Sequence, residues 1–293
     1  MTIAAWQEQG VQVSGCQESM MIRVKAYHRP HTLEEALRLL QSEDAVPLAG
    51  GQRLLAGERR EAKTVVDLQA LGLDRIEWEG ERLKIGAMVR LQQLVDTSDG
   101  GTFLAEAAHR DGPLTYRNAA TVGGTIVTHD PLSCLLLSLL VLDAEVEVQH
   151  SDGPCVVALD QLVVAPAHWV KRGLVTAVRV SPQTQGTAMA LVARTPRDRP
   201  IVAVAARVMR QGEACAEIRL AWGGVAPHPL RAYAVEQALS GQILEDAGIE
   251  AAVAHAAGAL QPPSDFRGSA EYRRAMIRVL TRRALWEAWS KAA

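Results

Sequence analysis

The sequence predicts an α+β protein in two parts, on three observations. Its 293 residues are about twice a typical domain. Up to residue 180, runs of helical period alternate with short β-branched runs, whereas from Ala188 to Ala221 three strand-like runs follow one another. A polar stretch, residues 181–186, lies between the two patterns. The expected parts are therefore residues 21–183 and 184–293.

Residues 1–20 carry no Lys or Arg and no apolar run, so they do not read as a secretory signal. Patterned sequence begins at Met20 and Met21, so one of these is a candidate start or the first twenty residues are a disordered extension. Ile22 to Tyr27 reads as a strand. Thr32 with Glu35 makes a capping box, and Leu33, Ala36, Leu37 and Leu40 follow at helical spacing. Val46 to Leu48 is extended and runs into Ala49-Gly50-Gly51, and Thr64 to Leu68 is a strand. Ile76 to Trp78 and Arg82 to Ile85 flank Glu79-Gly80-Glu81 as a hairpin. Leu91 to Val95 and Phe103 to His109 read as helices. Tyr116 to Thr121 is β-like and leads into Val122-Gly123-Gly124. Pro131 is expected at the start of a buried helix, 132–142, that is apolar nearly all round. Glu145 to Gln149, Cys155 to Leu159 and Leu174 to Val180 read as strands. In the second part, 188–193, 202–209 and 215–221 suggest an antiparallel sheet, and 232–239, 250–259 and 269–289 suggest helices.

Composition excludes several functions. Hydrophobic residues make 48% and charged residues 22%, as in a globular chain. With 31 basic and 33 acidic residues the net charge is -2, which gives no reason to expect nucleic acid. The longest apolar stretch is far short of a membrane span. Four scattered cysteines, Cys16, Cys134, Cys155 and Cys215, include no CxxC pair, which argues against iron–sulfur ligation and for a reducing, cytoplasmic compartment. The eight histidines show no metal-ligand spacing, and there is no P-loop or nucleophile elbow.

Two glycine pairs carry what local chemistry there is. A strand that ends in Gly-Gly can present successive backbone N–H groups to phosphate oxygens. Gly50-Gly51 and Gly123-Gly124 could clamp a pyrophosphate, with Thr121 and Thr125 adding hydroxyls. No GxGxxG fingerprint is present. Asp130 is a functional carboxylate or a cap before Pro131. Arg274, Arg278 and Arg282, within a cluster that also holds Arg267, Arg273 and Arg283, share one face of the last helix. That face is either solvated or a contact surface for a subunit or acidic partner.

In order and spacing, these segments resemble the FAD-binding (medium) subunits of molybdenum hydroxylases, the group of carbon monoxide dehydrogenase and xanthine dehydrogenase. The resemblance rests on Tyr27-His28-Arg29-Pro30 with Leu33-Glu34-Glu35-Ala36, Pro47-Leu48-Ala49-Gly50-Gly51 with Leu54-Leu55, and Val66-Asp67-Leu68. It continues through Ile85-Gly86-Ala87, Arg117-Asn118-Ala119-Ala120-Thr121-Val122-Gly123-Gly124, Asp130-Pro131 and Leu142-Asp143-Ala144-Glu145-Val146. Gly223-Gly224-Val225-Ala226-Pro227, Asp265 and Arg267-Gly268-Ser269-Ala270-Glu271-Tyr272-Arg273 extend it to Arg282-Arg283-Ala284-Leu285.

The resemblance implies a two-part FAD-binding domain of the vanillyl-alcohol-oxidase type, subdivided near residues 75 and 76, then a three-stranded antiparallel sheet with helices. FAD would contact Ala49, Gly50, Gly51, Gln52, Arg53 and Leu54 from the first loop. From the second it would contact Thr121, Val122, Gly123, Gly124, Thr125, Thr128 and Asp130. The chain would hold no catalytic residue and no metal ligand. A large molybdopterin subunit and a small subunit with two [2Fe-2S] clusters would be its partners, in a dimer of heterotrimers, and it would pass electrons from the clusters through FAD to an external acceptor.

Some positions depart from the family. Thr125 stands where Asn is usual, Cys134 where an aspartate binds the ribityl chain, Met189 and Leu191 where an aromatic and a lysine lie near the flavin, and Arg53 where a small or acidic residue is commoner. These departures imply weakened contacts beyond the phosphates. They leave open a flavin-free docking subunit, and the glycine loops alone also allow a self-sufficient flavin oxidase.

Overall fold

The computed structural model describes residues 23–52, 54, 62–97, 101–171, 173–181, 186–195 and 198–292. The expectations for residues 1–20 and for Arg53 lie outside the described residues.

The first unit is a small parallel sheet. Strand β1 (Arg23–His28), helix α1 (Leu33–Leu39), β2 (Ala45–Leu48) and β3 (Ala62–Asp67) follow in order, and the sheet runs β1-β3-β2. The Thr32 hydroxyl accepts the Glu35 N–H at 3.2 Å, so the predicted cap starts α1. Ala36 and Leu37 face Val66 and Leu68 beneath the sheet. Because the strands are parallel, Ala49, Gly50 and Gly51 emerge at their carboxyl ends, the side where open parallel sheets take ligands.

The second unit is an antiparallel sheet backed by helices. It begins with the hairpin β4 (Ile76–Glu79) and β5 (Arg82–Gly86), whose turn needs Gly80 at φ +64. Helices α2 (Leu91–Asp96), α3 (Gly101–Arg110), α4 (Leu114–Arg117), α5 (Val122–Thr128) and α6 (Cys134–Val141) come next. Then come β6 (Glu145–His150), β7 (Gly153–Ala158), α7 (Leu159–Val164), α8 (Pro166–Val170) and β8 (Leu174–Val180). The sheet order is β4-β5-β8-β6-β7. All eight residues of α6 are buried, as its apolar circumference predicts.

Three local readings are corrected. Tyr116 to Thr121 is not a strand: α4 ends at Arg117, and Thr121 forms a single bridge to Arg90 before capping α5. Thr121, the β-branched residue that closed the β-like segment, is instead the cap of a helix that begins at Val122. Pro131 does not begin α6; Ser133 does, accepting the Leu136 N–H at 3.2 Å. A serine cap outcompetes the proline because its hydroxyl satisfies an orphan donor. Helices α7 and α8 were not expected, since a short apolar run such as 162–164 does not distinguish helix from strand.

The third unit holds β9 (Thr187–Val192), β10 (Val202–Gln211), β11 (Ala214–Gly223) and the two-residue β12 (Leu230–Arg231). Its order is β12-β11-β10-β9, antiparallel throughout, so a short fourth strand joins the three expected. Helices α9 (Tyr233–Leu239), α10 (Asp246–Gly258) and α11 (Ala270–Lys291) cover one face. Val202, Val204 and Ala206 point to those helices, while Ala203 and Ala205 join the core around α6. The sheet is thus buried on both sides, which explains the unbroken apolar run 201–206.

The arginine cluster of α11 serves the fold. Arg273 is 1% exposed and donates to the Ile201 and Gly224 carbonyls at 2.7 and 2.8 Å and to Asp265 at 2.8 Å. Arg274 donates to the Leu260 carbonyl, Arg278 pairs with Glu250, and Arg282 with Asp246. The shared face of Arg274, Arg278 and Arg282 therefore links α11 to α10 and its following turn, with Arg278 and Arg282 about half exposed.

Candidate functional site

The two glycine loops touch. A Cβ on Gly50 would overlap the Ala119 carbonyl oxygen and crowd Ala120, so only glycine lets the first loop lie on the second. Gly51 follows at φ +72, in the left-handed region. Among the described residues, the Gly50 and Gly51 N–H groups donate to no backbone acceptor. Gln52 is exposed, and Ala49 and Leu54 are half-buried beside them.

The second pair is used differently. Val122 N–H donates to Val89 at 2.9 Å, Gly123 N–H to Ala87 at 2.8 Å and Gly124 N–H to the Thr121 hydroxyl at 3.1 Å. Neither Gly123 nor Gly124 has positive φ; both lie in the first turn of α5. A Cβ on Gly123 would stand 2.7 Å from the Ala87 Cβ, so this glycine permits close packing rather than a phosphate nest. Thr125 is buried and donates to the Thr121 carbonyl at 2.9 Å. The nest expected from Gly123-Gly124, with Thr125 as a free hydroxyl, is thus corrected: these donors are already bonded. Gly124, Val127 and Thr128 form the accessible stripe of α5.

Beyond α5 the chain turns at His129, φ +39, to Asp130. Asp130 accepts the Leu132 N–H at 2.9 Å and pairs with Arg199 at 2.7 Å. It therefore caps a turn and also holds a cation. Burial would raise its pKa, but the charge and hydrogen bond of Arg199 outweigh that and lower it. Arg199 follows β9 in the C-terminal unit, so this pair joins the two parts.

Sequence reasoning missed Asp111. It is 1% exposed, accepts the Ser133 hydroxyl at 2.8 Å and the Cys134 N–H at 2.5 Å, and so caps α6 from another loop. Burial pushes its pKa up to about 6 despite those bonds. Arg117, buried, donates to the His109 and Gly112 carbonyls at 3.2 and 2.6 Å and fixes that loop. Only Ser133, a cap residue before an apolar run, signalled this end of the helix. Cys134 is fully buried, and desolvation pushes its thiol pKa up, so it offers no polar group at the surface. Met189 and Leu191 are half-buried against the core around α6. Leu191, Asp198, Pro200, His109, Arg110 and Arg117 help line an open cavity of about 780 Å³. Among the described residues, no His, Cys, Asp and Glu side chains cluster to hold a metal ion. No helix among them is long and apolar enough to cross a membrane.

Comparison with known proteins decides the family. The profile of the FAD binding domain in molybdopterin dehydrogenase matches residues 20–183, and that of the CO dehydrogenase flavoprotein C-terminal domain matches residues 187–288. The chain belongs to this flavoprotein family. It is 31% identical to the glyceraldehyde dehydrogenase medium chain of Sulfolobus acidocaldarius, over 89% of this chain and 97% of the relative. It is 32% identical to the carbon monoxide dehydrogenase medium chain of Afipia carboxidovorans, over 91% and 97%. Among solved structures, carbon monoxide dehydrogenase from Hydrogenophaga pseudoflava superposes with a TM-score of 0.87 at 29% identity, covering 93% of this chain and 99% of that one. The α+β fold with a C-terminal antiparallel sheet and helices is therefore that of the flavoprotein medium subunits, which in these relatives are parts of oxidoreductases.

Proposed function

We propose that this chain binds FAD at the junction of the two glycine loops and relays electrons as the medium subunit of a molybdenum hydroxylase. The observation that carries the reading is the Gly50 contact with Ala119 at the carboxyl end of a parallel sheet, beside Gly50 and Gly51 N–H groups that donate to no backbone acceptor among the described residues. Those donors suit pyrophosphate oxygens, so the residues present fit the group at its phosphate end. FAD, once bound, supplies the redox chemistry, taking two electrons and passing them on. The protein positions it. Ala49, Gly50, Gly51, Gln52 and Leu54 form the phosphate side. Thr121, Val122, Gly123 and Thr125 form a rigid wall behind it, and Gly124, Thr128 and Asp130 line the path along α5.

The electron donor in this reading is a small subunit with [2Fe-2S] clusters, fed by a large molybdopterin subunit in a dimer of heterotrimers in the cytoplasm. Such a chain contributes no substrate bond of its own. The buried thiol of Cys134, which offers no hydrogen bond to a ribityl hydroxyl, favours a second reading, a flavin-free docking subunit. Isolating the complex with its partner subunits and measuring acid-released flavin separates the two. One FAD per medium chain supports the first; iron–sulfur and molybdopterin signals without flavin support the second.

A further inference from the structure

Resting on the FAD reading, we propose that Arg199 is a flavin-contacting residue that stabilises the negative charge of the reduced isoalloxazine ring. Three features lead there. The first is direction. Helix α5 starts at the loop junction and ends at Asp130, and its seven residues span roughly 10 Å. That is comparable to an extended ribityl chain. A flavin whose pyrophosphate sat at Gly50 and Gly51 and whose ribityl chain followed α5 would bring its ring toward Asp130, which holds Arg199 at 2.7 Å. The second is an unmet donor. The Arg199 Nε is buried and has no hydrogen-bond partner among the described residues, although Nη1 is bonded to Asp130. A buried N–H without an acceptor is unfavourable, and an electron-rich ligand beside it would remove that penalty.

The third is rigidity. Residues 199–201 are pinned from behind. Ile201 N–H donates to Val192 at 2.7 Å, and its carbonyl accepts buried Arg273 at 2.7 Å. A Cβ on Gly224 would overlap that same carbonyl, so the segment is closely packed. Asp198 and Pro200, on either side of Arg199, line the 780 Å³ cavity together with Leu191. Burial lowers the pKa of the guanidinium, but the charge and hydrogen bond of Asp130 more than restore it, so Arg199 stays cationic.

The chemistry is one of charge balance. Two electrons and one proton convert the neutral oxidised ring to an anion with its charge on N1 and the C2 oxygen. A guanidinium fixed beside those atoms binds the reduced ring more tightly than the oxidised one, which raises the potential. Asp130 orients Arg199 and partly offsets its charge.

The test uses the full chain, stripped of flavin and reconstituted with FAD. The binding of oxidised FAD and the midpoint potential of the bound flavin are measured for wild type, Arg199→Gln, Arg199→Lys and Arg278→Gln. Arg199→Gln is expected to weaken reduced FAD at least tenfold more than oxidised FAD, which for a two-electron couple lowers the potential by about 30 mV. Arg199→Lys, which keeps the cation, should recover most of the shift. Arg278→Gln, which removes the same charge at α11, should leave the potential unchanged. An unchanged potential in Arg199→Gln, or an equal drop in Arg278→Gln, overturns the proposal. If Arg199→Gln does not fold, Arg199→Lys decides, and loss of the wild-type potential there despite the retained charge overturns it. A wild-type chain that takes up no FAD overturns the FAD reading and this inference together, whereas wild-type FAD with an unmoved potential overturns only the latter.

Discussion

Gly50-Gly51 and Gly123-Gly124 lie on loops that touch, yet their backbones do different work. At the second pair the N–H groups of Val122, Gly123 and Gly124 already bond to Val89, Ala87 and Thr121. At the first pair, among the described residues, the Gly50 and Gly51 N–H groups reach no backbone acceptor. Both pairs permit a close approach, but among the described residues only the first keeps N–H groups without a backbone acceptor. What separates them is φ and neighbours: Gly51 lies at φ +72, in the left-handed region, while Gly123 sits inside a helix against Ala87. A ligand can use only those N–H groups that the fold leaves unbonded.

The largest effect that sharpens this contrast is expected from glycine substitutions. Gly50→Ala puts a Cβ into the Ala119 carbonyl and should cost about 1–3 kcal/mol of stability, together with loss of FAD retention. Gly123→Ala should cost a similar amount through Ala87, but the chain that still folds should bind FAD within tenfold of wild type. Thermal unfolding with FAD titration of both variants checks the pair. Comparable FAD affinities in both variants would break the contrast.

Asp111 comes next. Asp111→Ala leaves the Ser133 hydroxyl and the Cys134 N–H without their buried acceptor and should destabilise by about 2–3 kcal/mol. The sign with pH follows from the raised pKa. With a folded value of about 6 against an ordinary 3.8, the folded state binds the proton more tightly than the unfolded state. The contribution of this titration is therefore fully present below the unfolded value and is lost as pH rises from about 4 to about 6. Denaturant melts of wild type and Asp111→Asn across that range should show the wild type losing its relative advantage as pH increases.

Smaller still, Thr121→Ala removes the cap that accepts the Gly124 N–H and should cost about 1 kcal/mol. It would also free that N–H, so FAD affinity should change little or rise. Isothermal titration with FAD distinguishes this from Thr121 being itself a ligand, in which case affinity would fall.

Much of the architecture was legible in the sequence because its signals are local. Thr32 and Glu35 marked α1, Gly80 marked the first hairpin, and the apolar circumference of α6 marked its burial. The C-terminal strands were legible for the same reason. The site was legible only in part. The positions of both loops could be read, but which N–H groups stay unbonded depends on Val89, Ala87 and Ala119, partners that no local pattern reveals. Asp111 capping α6 across 22 positions, and Arg273 holding Ile201 across 72, are tertiary contacts of that kind. Helix α5 was not anticipated, and the segment before it, 116–121, was read as β-like; a cap at Thr121 and packing against Ala87 favour the helix.

Native-state amide hydrogen exchange, with and without FAD, tests the central claim most directly. The account predicts that the Gly50 and Gly51 amides exchange rapidly in the FAD-free chain and become protected when FAD binds, while the Val122, Gly123 and Gly124 amides are protected in both. Protection that FAD induces at Val122 to Gly124 but not at Gly50 and Gly51 would contradict it.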